Sequence, residues 1–274
     1  MKILNGTELA GFIKERQAHQ VAGLRQAHRV TPTLAIIRDS DNPVIAKYVS
    51  LKQRYGDDIG VQVLDCPATS PADIEQKILE ANDNPDIHGI ILQLPLATVT
   101  DKAETDRLTA LIAPGKDVDG LSGHGDYDSA TATAIIWLLA GYDIKLNQAH
   151  IAIVGRGKLV GAPLYQMFTA SNYDVTLFHR GDDLTKLKNF DIIISATGVP
   201  GLISDDLVSP GAVFVDAGTA SEKGILKGDV ADAVRDRKDL AAITPAIGGV
   251  GPLTVTCLFD HLLTAANKTT QPIN

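Results

Sequence analysis

The chain has little of what several classes of protein depend on. Among its 274 residues only Cys66 and Cys257 are cysteines, and aromatic residues make up 5%. The two cysteines lie far apart, with no His or Cys at metal-ligand spacing, so we expect no disulfide framework, no metal site and a reducing cytoplasm. The scarcity of aromatic side chains argues against surfaces on which nucleic-acid bases stack.

Excess positive charge and long apolar runs are missing as well. The formal net charge is −8, which argues against an extended basic surface but leaves room for a local anion site. Polar residues interrupt the first twenty positions every few residues, unlike a signal peptide, and no later apolar run approaches membrane-spanning length. We therefore expect a cytoplasmic protein that has neither a nucleic-acid nor a membrane partner.

Short apolar runs alternate with longer segments of helical pattern, and the hydrophobic content of 45% is ample for a core. The predicted strands cover 33–38, 61–66, 89–94, 150–155, 174–179, 191–197 and 212–218. Nearly all of them are apolar on both faces, which is typical of parallel sheets covered by helices on each side. The sequence therefore predicts an α/β fold.

Glycines and aspartates interrupt the strand-helix alternation at "PGKDVDGLSGHGDYDS", residues 114–129. Such a stretch marks a domain junction, a site-forming loop or both. We expect two α/β units with a cleft between them, the first over 1–122 and a Rossmann-like second over 123–251. The final helix, within 252–274, is expected to pack back on the first unit.

A glycine-rich turn opens the second unit. Gly155, Gly157 and Gly161 follow a predicted strand and precede a predicted helix, with a spacing one residue longer than the common dinucleotide fingerprint. Glycines let the backbone approach a pyrophosphate, and the free amides of the helix start favour its negative charge. On the pattern alone, a tight turn that binds nothing is an equally good interpretation.

The end of the next predicted strand bears on the choice of cofactor. A site selective for NAD usually has an acidic residue there, whereas this chain has His179 and Arg180. An arginine suits the 2′-phosphate of NADP, and Arg156 inside the glycine turn offers a second contact. The sequence therefore favours NADP over NAD.

Tyr48 and Lys52 are four residues apart in "NPVIAKYVSLKQRYG", so on a helix they share one face. On this segment alone, a solvated surface helix is the favoured interpretation of the pair. Short-chain dehydrogenases also use Tyr and Lys, but there the glycine loop precedes the pair, and here it follows. Gln93 and Asp119 have similarly plain interpretations, as a strand-end amide and as a turn residue before Gly120.

Taken together and in order, several stretches resemble the family of methylenetetrahydrofolate dehydrogenase/methenyltetrahydrofolate cyclohydrolase bifunctional enzymes. The matching stretches are "YVSLK", "GIILQLPL", "KDVDG", "VGRGKLVGAPL", "VDAG", "KGDV" and "TPAIGGVGPLTV", which span nearly the whole chain. The resemblance implies NADP-dependent oxidation of 5,10-methylenetetrahydrofolate to the methenyl form and hydrolysis of that product to 10-formyltetrahydrofolate. It also implies tetrahydrofolate derivatives as ligands and a homodimer.

The resemblance implies a role for each matching residue. Lys52 corresponds to the catalytic lysine, Tyr48 to the aromatic that positions the folate, Gln93 to the glutamine that tunes the lysine and Asp119 to the acid that binds the pterin. Further substrate contacts are expected from Gly248, Gly249, Pro252 and Thr254. The implied cofactor-binding residues are Thr131, Gly155, Arg156, Gly157, Val160, Gly161, His179, Arg180, Thr197 and Gly198.

The chain also departs from the family pattern. The link at 121–128 is short, and "ATATA" (130–134) stands where the family has C-T-P-x-G, so that only Thr131 keeps its place. Ile247 and Ala97 replace prolines. We expect weaker cofactor binding from the short link, and a monofunctional dehydrogenase is the first alternative. A non-catalytic folate- or nucleotide-binding protein is the second, although binding alone would not require the lysine.

Overall fold

The computed structural model describes residues 1–218, 220–222 and 225–270. The helices are α1 Gly6–His28, α2 Pro43–Ile59, α3 Pro71–Asp83, α4 Lys102–Ala110, α5 Ala130–Gly141, α6 Gly161–Ala170, α7 Asp232–Arg235 and α8 Val250–Lys268. The strands are β1 Lys2–Ile3, β2 Thr33–Arg38, β3 Gln62–Pro67, β4 Gly89–Leu92, β5 Ile151–Val154, β6 Val175–Phe178, β7 Ile192–Ser195, β8 Val213–Asp216, β9 Ala220–Glu222, β10 Ile225–Lys227 and β11 Ala242–Ile243.

The chain divides into two compact units. One combines Met1–Gly11 with Thr131–Thr254, and the other combines Phe12–Ala130 with the chain from Val255 onward. We call them the N/C-sheet unit and the lysine unit, respectively. The boundary that the sequence suggested between residues 122 and 123 stays a prediction.

The lysine unit contains a parallel sheet in the order β3-β2-β4. Its central strand pairs Leu34 with Gly89 on one side and with Val63 on the other. β2 and β4 are almost wholly buried, and the apolar side chains of α3, including Ile74 and Ile78, pack against them. Since parallel strands end at the same edge, the residues that follow β2 and β4 lie side by side.

The N/C-sheet unit contains a parallel sheet in the order β1-β11-β8-β7-β5-β6. Its interior strands β5, β7 and β8 are buried throughout. Phe178, Leu187 and Phe214 belong to the apolar cluster on this sheet. The order places the loops after β5, β7 and β8 at one edge of the sheet, where α/β proteins build ligand sites.

Side chains at the ends of the helices explain where several of them begin and stop. The Asn42 side chain accepts a hydrogen bond from Val44 N, and Pro43 occupies the first turn of α2. Ser70 caps α3 in the same way through Asp73 N. At the other end of α3, Lys116 Nζ donates to the carbonyls of Ala81, Asn82 and Asn84, at 2.9, 2.7 and 2.7 Å. These carbonyls would otherwise lack intrahelical partners.

The predicted α/β class and parallel sheets are confirmed, and each predicted strand lies within a few residues of an observed one. β3 and β6 are more exposed than the two-sided apolar pattern suggested, because each lies at the edge of its sheet. The sequence pattern missed β1 and β11, which have two residues each. No helix in the described part of the chain combines the length and apolar character needed to cross a membrane.

Candidate functional site

Lys52 lies on the apolar stripe of α2. The buried residues of this helix are Ile45, Val49, Gly56 and Ile59, and position 52 falls between them with the same three- and four-residue spacing. Lys52 is therefore drawn toward the core while remaining partly exposed. Tyr48 lies one turn earlier and is also partly buried, so α2 holds both side chains of the predicted pair at its inner face.

Lys52 Nζ donates a hydrogen bond to Gln93 Oε1 at 2.8 Å. Gln93 directly follows β4, and its backbone N donates to Ile37 O at 2.8 Å, which extends the pairing of β4 with β2 by one residue. Its side-chain Nε2 donates to Leu94 O at 3.0 Å. The amide is thus oriented with its oxygen toward the lysine.

The loop after Gln93 is fixed by a residue that follows the neighbouring strand. Asp39, just after β2, accepts hydrogen bonds from Ala97 N at 2.8 Å, Thr98 N at 2.7 Å and Thr98 Oγ1 at 2.6 Å. A proline at position 97 would have no N–H to donate here, so the alanine contributes one of the hydrogen bonds that hold this loop.

Asp119 lies in a turn that Asp117 holds together. The buried Asp117 carboxylate accepts from Leu121 N at 3.1 Å, Ser122 N at 2.9 Å and Ser122 Oγ at 2.6 Å. Asp119 O accepts from Ala130 N at 3.2 Å. The sequence motif "KDVDG" therefore contains one aspartate, Asp117, that holds the turn together and a second, Asp119, that lies within the turn.

The charges of Lys52 and Asp119 influence one another. Burial lowers the pKa of the Lys52 amine, and the Asp119 carboxylate partly opposes that shift. Burial also raises the pKa of Asp119, against the opposing effect of Lys52 and with a further upward contribution from Asp117. Burial raises the pKa of the Tyr48 hydroxyl as well. A desolvated lysine of this kind releases its proton more readily than a solvated one.

The short link at 121–128 folds back on its own unit. Asp126 N donates to Pro114 O at 3.0 Å, and the Asp126 carboxylate pairs with Lys268 at 3.0 Å. The Tyr127 ring stacks on the His261 ring, with 5.1 Å between the ring centroids. Lys268 Nζ lies 5.0 Å from the centroid of the same Tyr127 ring. The final helix α8 therefore holds this link in place.

The glycine turn of the N/C-sheet unit lies between β5 and the start of α6. A Cβ atom on Gly161 would lie 1.9 Å from Gly155 O, so the start of α6 packs directly on the turn. A Cβ on Gly157 would meet nothing within 4 Å, which leaves open space beside the backbone. Val160 immediately precedes α6, and no side chain caps that helix start. These residues fit a dinucleotide pyrophosphate.

Of the basic residues predicted to bind the cofactor, two line one cavity and the third does not. Arg156 and His179 line one surface cavity of about 630 Å³, together with Tyr165 and Gln166 of α6. Arg180 is exposed but is not among the residues lining that cavity. His179 N donates to Asp182 Oδ2 at 2.6 Å, which fixes the turn containing both His179 and Arg180.

Thr197 and Gly198 follow β7, and a buried carboxyl supports them. Thr197 N donates to Asp229 Oδ2 at 2.6 Å, and Asp229 Oδ1 has no hydrogen-bond partner among the described residues. Burial raises the pKa of Asp229. Asp216, which ends β8, accepts from Asp229 N at 3.0 Å and pairs with Arg235. The motifs "VDAG" and "KGDV" are thus joined by the hydrogen bond between Asp229 and Asp216, and Asp229 in turn binds the backbone of Thr197.

The remaining predicted residues lie at or near helix starts. Gly248 and Gly249 precede α8, whereas Pro252 and Thr254 occupy its first turns, with Thr254 Oγ1 donating to Val250 O at 3.3 Å. Thr131 is a partly exposed residue in the first turn of α5.

Sequence reasoning missed several residues that shape these loops: Asn5, Asp39, Asp117, Asp216 and Asp229. A signal was available for Asn5, because Asn5 and Glu8 have the spacing of a helix-capping pair. Three of the four aspartates, Asp117, Asp216 and Asp229, were considered only as letters of a matching motif. The partners of Asp39 are backbone amides that lie far away in the sequence. Their roles therefore needed the folded chain.

The fold and these residues define a class: a nucleotide-dependent α/β enzyme with a desolvated lysine. Residues 4–119 match the model of the catalytic domain of tetrahydrofolate dehydrogenase/cyclohydrolase, and residues 129–270 match that of its NAD(P)-binding domain. The chain belongs to the tetrahydrofolate dehydrogenase/cyclohydrolase family. The predicted family, its bifunctional enzyme class and a Rossmann-like NAD(P)-binding domain are thereby confirmed.

Individual relatives match the chain over almost its full length. The bifunctional protein FolD of Macrococcus caseolyticus is 36% identical, over 98% of this chain and 99% of the relative. The crystal structure of FolD from Campylobacter jejuni matches with a TM-score of 0.90 and 29% identity, covering 98% and 99% of the two chains. The Trypanosoma brucei enzyme complexed with NADP and an inhibitor matches with a TM-score of 0.89, 27% identity and 98% coverage of each chain.

Proposed function

We propose that Lys52, Gln93, Asp119 and Tyr48 bind the folate and perform the cyclohydrolase step in this enzyme. The observation that carries the proposal is the 2.8 Å hydrogen bond between Lys52 Nζ and Gln93 Oε1, made by a lysine whose pKa is lowered by burial. A solvated helix lysine would have neither property.

Hydrolysis of 5,10-methenyltetrahydrofolate needs a water molecule to add to the carbon between N5 and N10. In its neutral form, Lys52 accepts a proton from that water as the new C–O bond forms. The protonated amine then returns a proton to N5 as the C–N5 bond breaks. The hydroxyl group on the former methenyl carbon loses its proton to solvent in the same step, which forms the C=O bond and leaves the formyl group on N10. Gln93 keeps the amine in one orientation, because its oxygen accepts an N–H of the lysine and its own N–H₂ is fixed by Leu94 O.

Asp119 and Tyr48 complete the folate site in this proposal. Burial raises the pKa of Asp119, and its carboxyl oxygens are positioned to accept hydrogen bonds from a ligand. The edge of a pterin ring presents N–H donors, which suit such acceptors. Tyr48 supplies a partly buried aromatic face one turn from Lys52.

The dehydrogenase step needs no general base from the protein, because the folate nitrogen supplies the electrons that stabilise the iminium product. Bound NADP supplies the hydride acceptor. The chain contributes binding and orientation. The open backbone at Gly157 suits the pyrophosphate. Arg156, which lines a cavity with His179, and the exposed Arg180 suit the 2′-phosphate. The complex of the Trypanosoma brucei relative with NADP supports NADP over NAD here.

Two further parts of the proposal come from the family resemblance. The first is a homodimer, which sedimentation of the purified chain would test. The second is the division into a folate domain over 1–122, with the final helix of 252–274, and an NADP domain over 123–251. The separate matches of residues 4–119 and 129–270 to two domain models support a division in this region of the chain.

Two absorbance assays test the proposal on one preparation. Production of NADPH from methylenetetrahydrofolate reports the dehydrogenase, and decay of the methenyl chromophore reports the cyclohydrolase. We expect both in the wild-type chain. NADPH production without accelerated methenyl decay would support a monofunctional dehydrogenase, and the absence of both signals would support a binding protein.

A further inference from the structure

The N-terminal segment Asn5–Thr7 contacts the glycine loop that precedes α8. β1 pairs in parallel with β11, with Lys2 opposite Ala242 and Ile3 opposite Ile243. Leu4 N continues the pairing by donating to Ile243 O at 2.9 Å. Because both strands run in the same direction, the segments that follow them leave the sheet side by side.

Thr7 binds this loop through its backbone and its side chain. Thr7 N donates to Gly248 O at 3.0 Å, and Thr7 Oγ1 donates to the same carbonyl at 3.4 Å. Gly248 has φ of +87°, and a Cβ there would lie 2.7 Å from Thr7 Oγ1. The loop conformation at Gly248 is therefore matched to the position of Thr7.

Gly6 makes an even closer approach. A Cβ atom on Gly6 would lie 1.8 Å from Gly249 O and 3.3 Å from Gly248 O. Both of these atoms belong to the backbone, so they cannot move aside as the end of a flexible side chain can. An alanine at position 6 is compatible with the loop only if the loop backbone shifts.

The contacting segment is itself anchored. Asn5 Oδ1 accepts hydrogen bonds from Thr7 N at 3.1 Å and Glu8 N at 3.3 Å, which caps the start of α1. Asn5 N donates to Tyr142 Oη at 3.0 Å, and Tyr142 Oη donates to Asn5 O at 3.2 Å. Gly6 and Thr7 therefore present a fixed surface to the loop.

We propose that Gly6 and Thr7 are positioning residues for folate binding, which act by setting the backbone of Gly248 and Gly249. The proposal rests on the proposed function and on the substrate contacts that the family resemblance implies for Gly248 and Gly249. A displacement of about 1 Å at such a loop is enough to cost about a hundredfold in rate. The N-terminus would thus determine substrate affinity without touching the reacting atoms.

The decisive variant is Gly6→Ala, with Gly11→Ala as its matched control. Both substitutions lie on α1 and raise its helix propensity, but a Cβ on Gly11 meets nothing within 4 Å. We expect Gly6→Ala to weaken the calorimetric affinity for tetrahydrofolate and to raise the folate KM by about tenfold or more. The Gly11→Ala protein should match wild type in both values.

A purely structural role for Gly6 would lower the thermal unfolding midpoint and leave the folate KM unchanged in the folded fraction. That result would overturn the proposal. If Gly6→Ala does not fold, the variants Thr7→Val and Thr7→Ser test the proposal instead. Thr7→Val, which lacks the hydroxyl, should weaken tetrahydrofolate binding about two- to tenfold, whereas Thr7→Ser, which keeps it, should bind like wild type. Equal affinities for both Thr7 variants would then overturn the proposal.

The same measurements separate this inference from the proposed function. A wild-type chain that neither binds tetrahydrofolate nor catalyses either reaction would refute the proposed function itself. An active wild type together with unaltered Gly6 and Thr7 variants would refute the positioning role alone.

Discussion

Replacing Lys52 with Met removes the amine that donates to Gln93 Oε1 at 2.8 Å and keeps an unbranched apolar stem on the inner stripe of α2. Lysine and methionine have similar helix propensities, so α2 should form equally well. A hydrogen bond to a charged group is worth about 1.5–3 kcal/mol, and its loss destabilises the fold. Removing a desolvated ammonium acts in the opposite direction, because burial is the main cause of the lowered Lys52 pKa. The net change in unfolding free energy should therefore be smaller than about 3 kcal/mol.

The catalytic effect should be larger than the effect on stability. General acid-base assistance typically contributes about a hundred- to ten-thousand-fold in rate, which corresponds to about 3 to 5 kcal/mol of activation free energy. Methenyl hydrolysis should therefore fall to near its uncatalysed rate. The dehydrogenase should fall less, because hydride transfer needs no protein base and Lys52 contributes only to folate binding there.

The assay follows methenyl absorbance at saturating substrate, with the unfolding midpoint of each protein measured in parallel. Lys47→Met is the matched control, since Lys47 lies on the same helix and is exposed. We expect wild-type hydrolysis from the control and a loss of at least about a hundredfold from Lys52→Met. Hydrolysis at the wild-type rate by a folded Lys52→Met protein would show that Lys52 is only a helix charge.

Four further outcomes are expected. Enzyme-catalysed hydrolysis, corrected for the uncatalysed reaction, should rise with pH and level off once the pH exceeds the lowered pKa of Lys52, because only the neutral amine accepts a proton. A rate that levels off only in the usual lysine range would contradict this. Arg180→Ala should raise the KM for NADP much more than that for NAD, since the guanidinium pairs with a 2′-phosphate, and equal changes in steady-state kinetics would remove that assignment. Gly120→Ala should lower the unfolding free energy, measured by urea denaturation, by at least about 1 kcal/mol more than Gly123→Ala. Both glycines have positive φ, but only at Gly120 would the added Cβ meet a backbone atom, Asp128 O, at 2.5 Å. The short link at 121–128 should leave NADP binding weaker than is usual for the family, and tight binding in a calorimetric titration without folate would show otherwise.

Much of the fold could be predicted from local pattern. β-Branched apolar runs predicted the strands β2, β4, β5, β7 and β8, because a strand buried on both faces must be apolar at every position. The glycine spacing at 155–161 predicted a strand-turn-helix unit, since the close contact between Gly161 and Gly155 O leaves no space for a side chain. The motif order was enough to predict the family.

The sequence also contained a sign that Lys52 is unusual. Its position between Val49 and Gly56 continues the buried stripe of α2, and a lysine at such a position is desolvated wherever that face packs. The helical spacing of Tyr48 and Lys52 did not distinguish this arrangement from a surface pair. Sequence by itself therefore determined which face of α2 carries the lysine.

Only the tertiary structure decided which distant residues meet. Lys52 and Gln93 are 41 positions apart and Thr7 and Gly248 are 241 apart, yet each pair is joined by hydrogen bonds. The strands β1 and β11, at two residues each, are too short to produce a periodic signal, and their pairing brings Thr7 to its partner. Periodicity records which side of an element is buried, because burial selects residue type along that element. Which elements become neighbours depends on the packing of the whole sheet, and no local stretch of sequence contains that information.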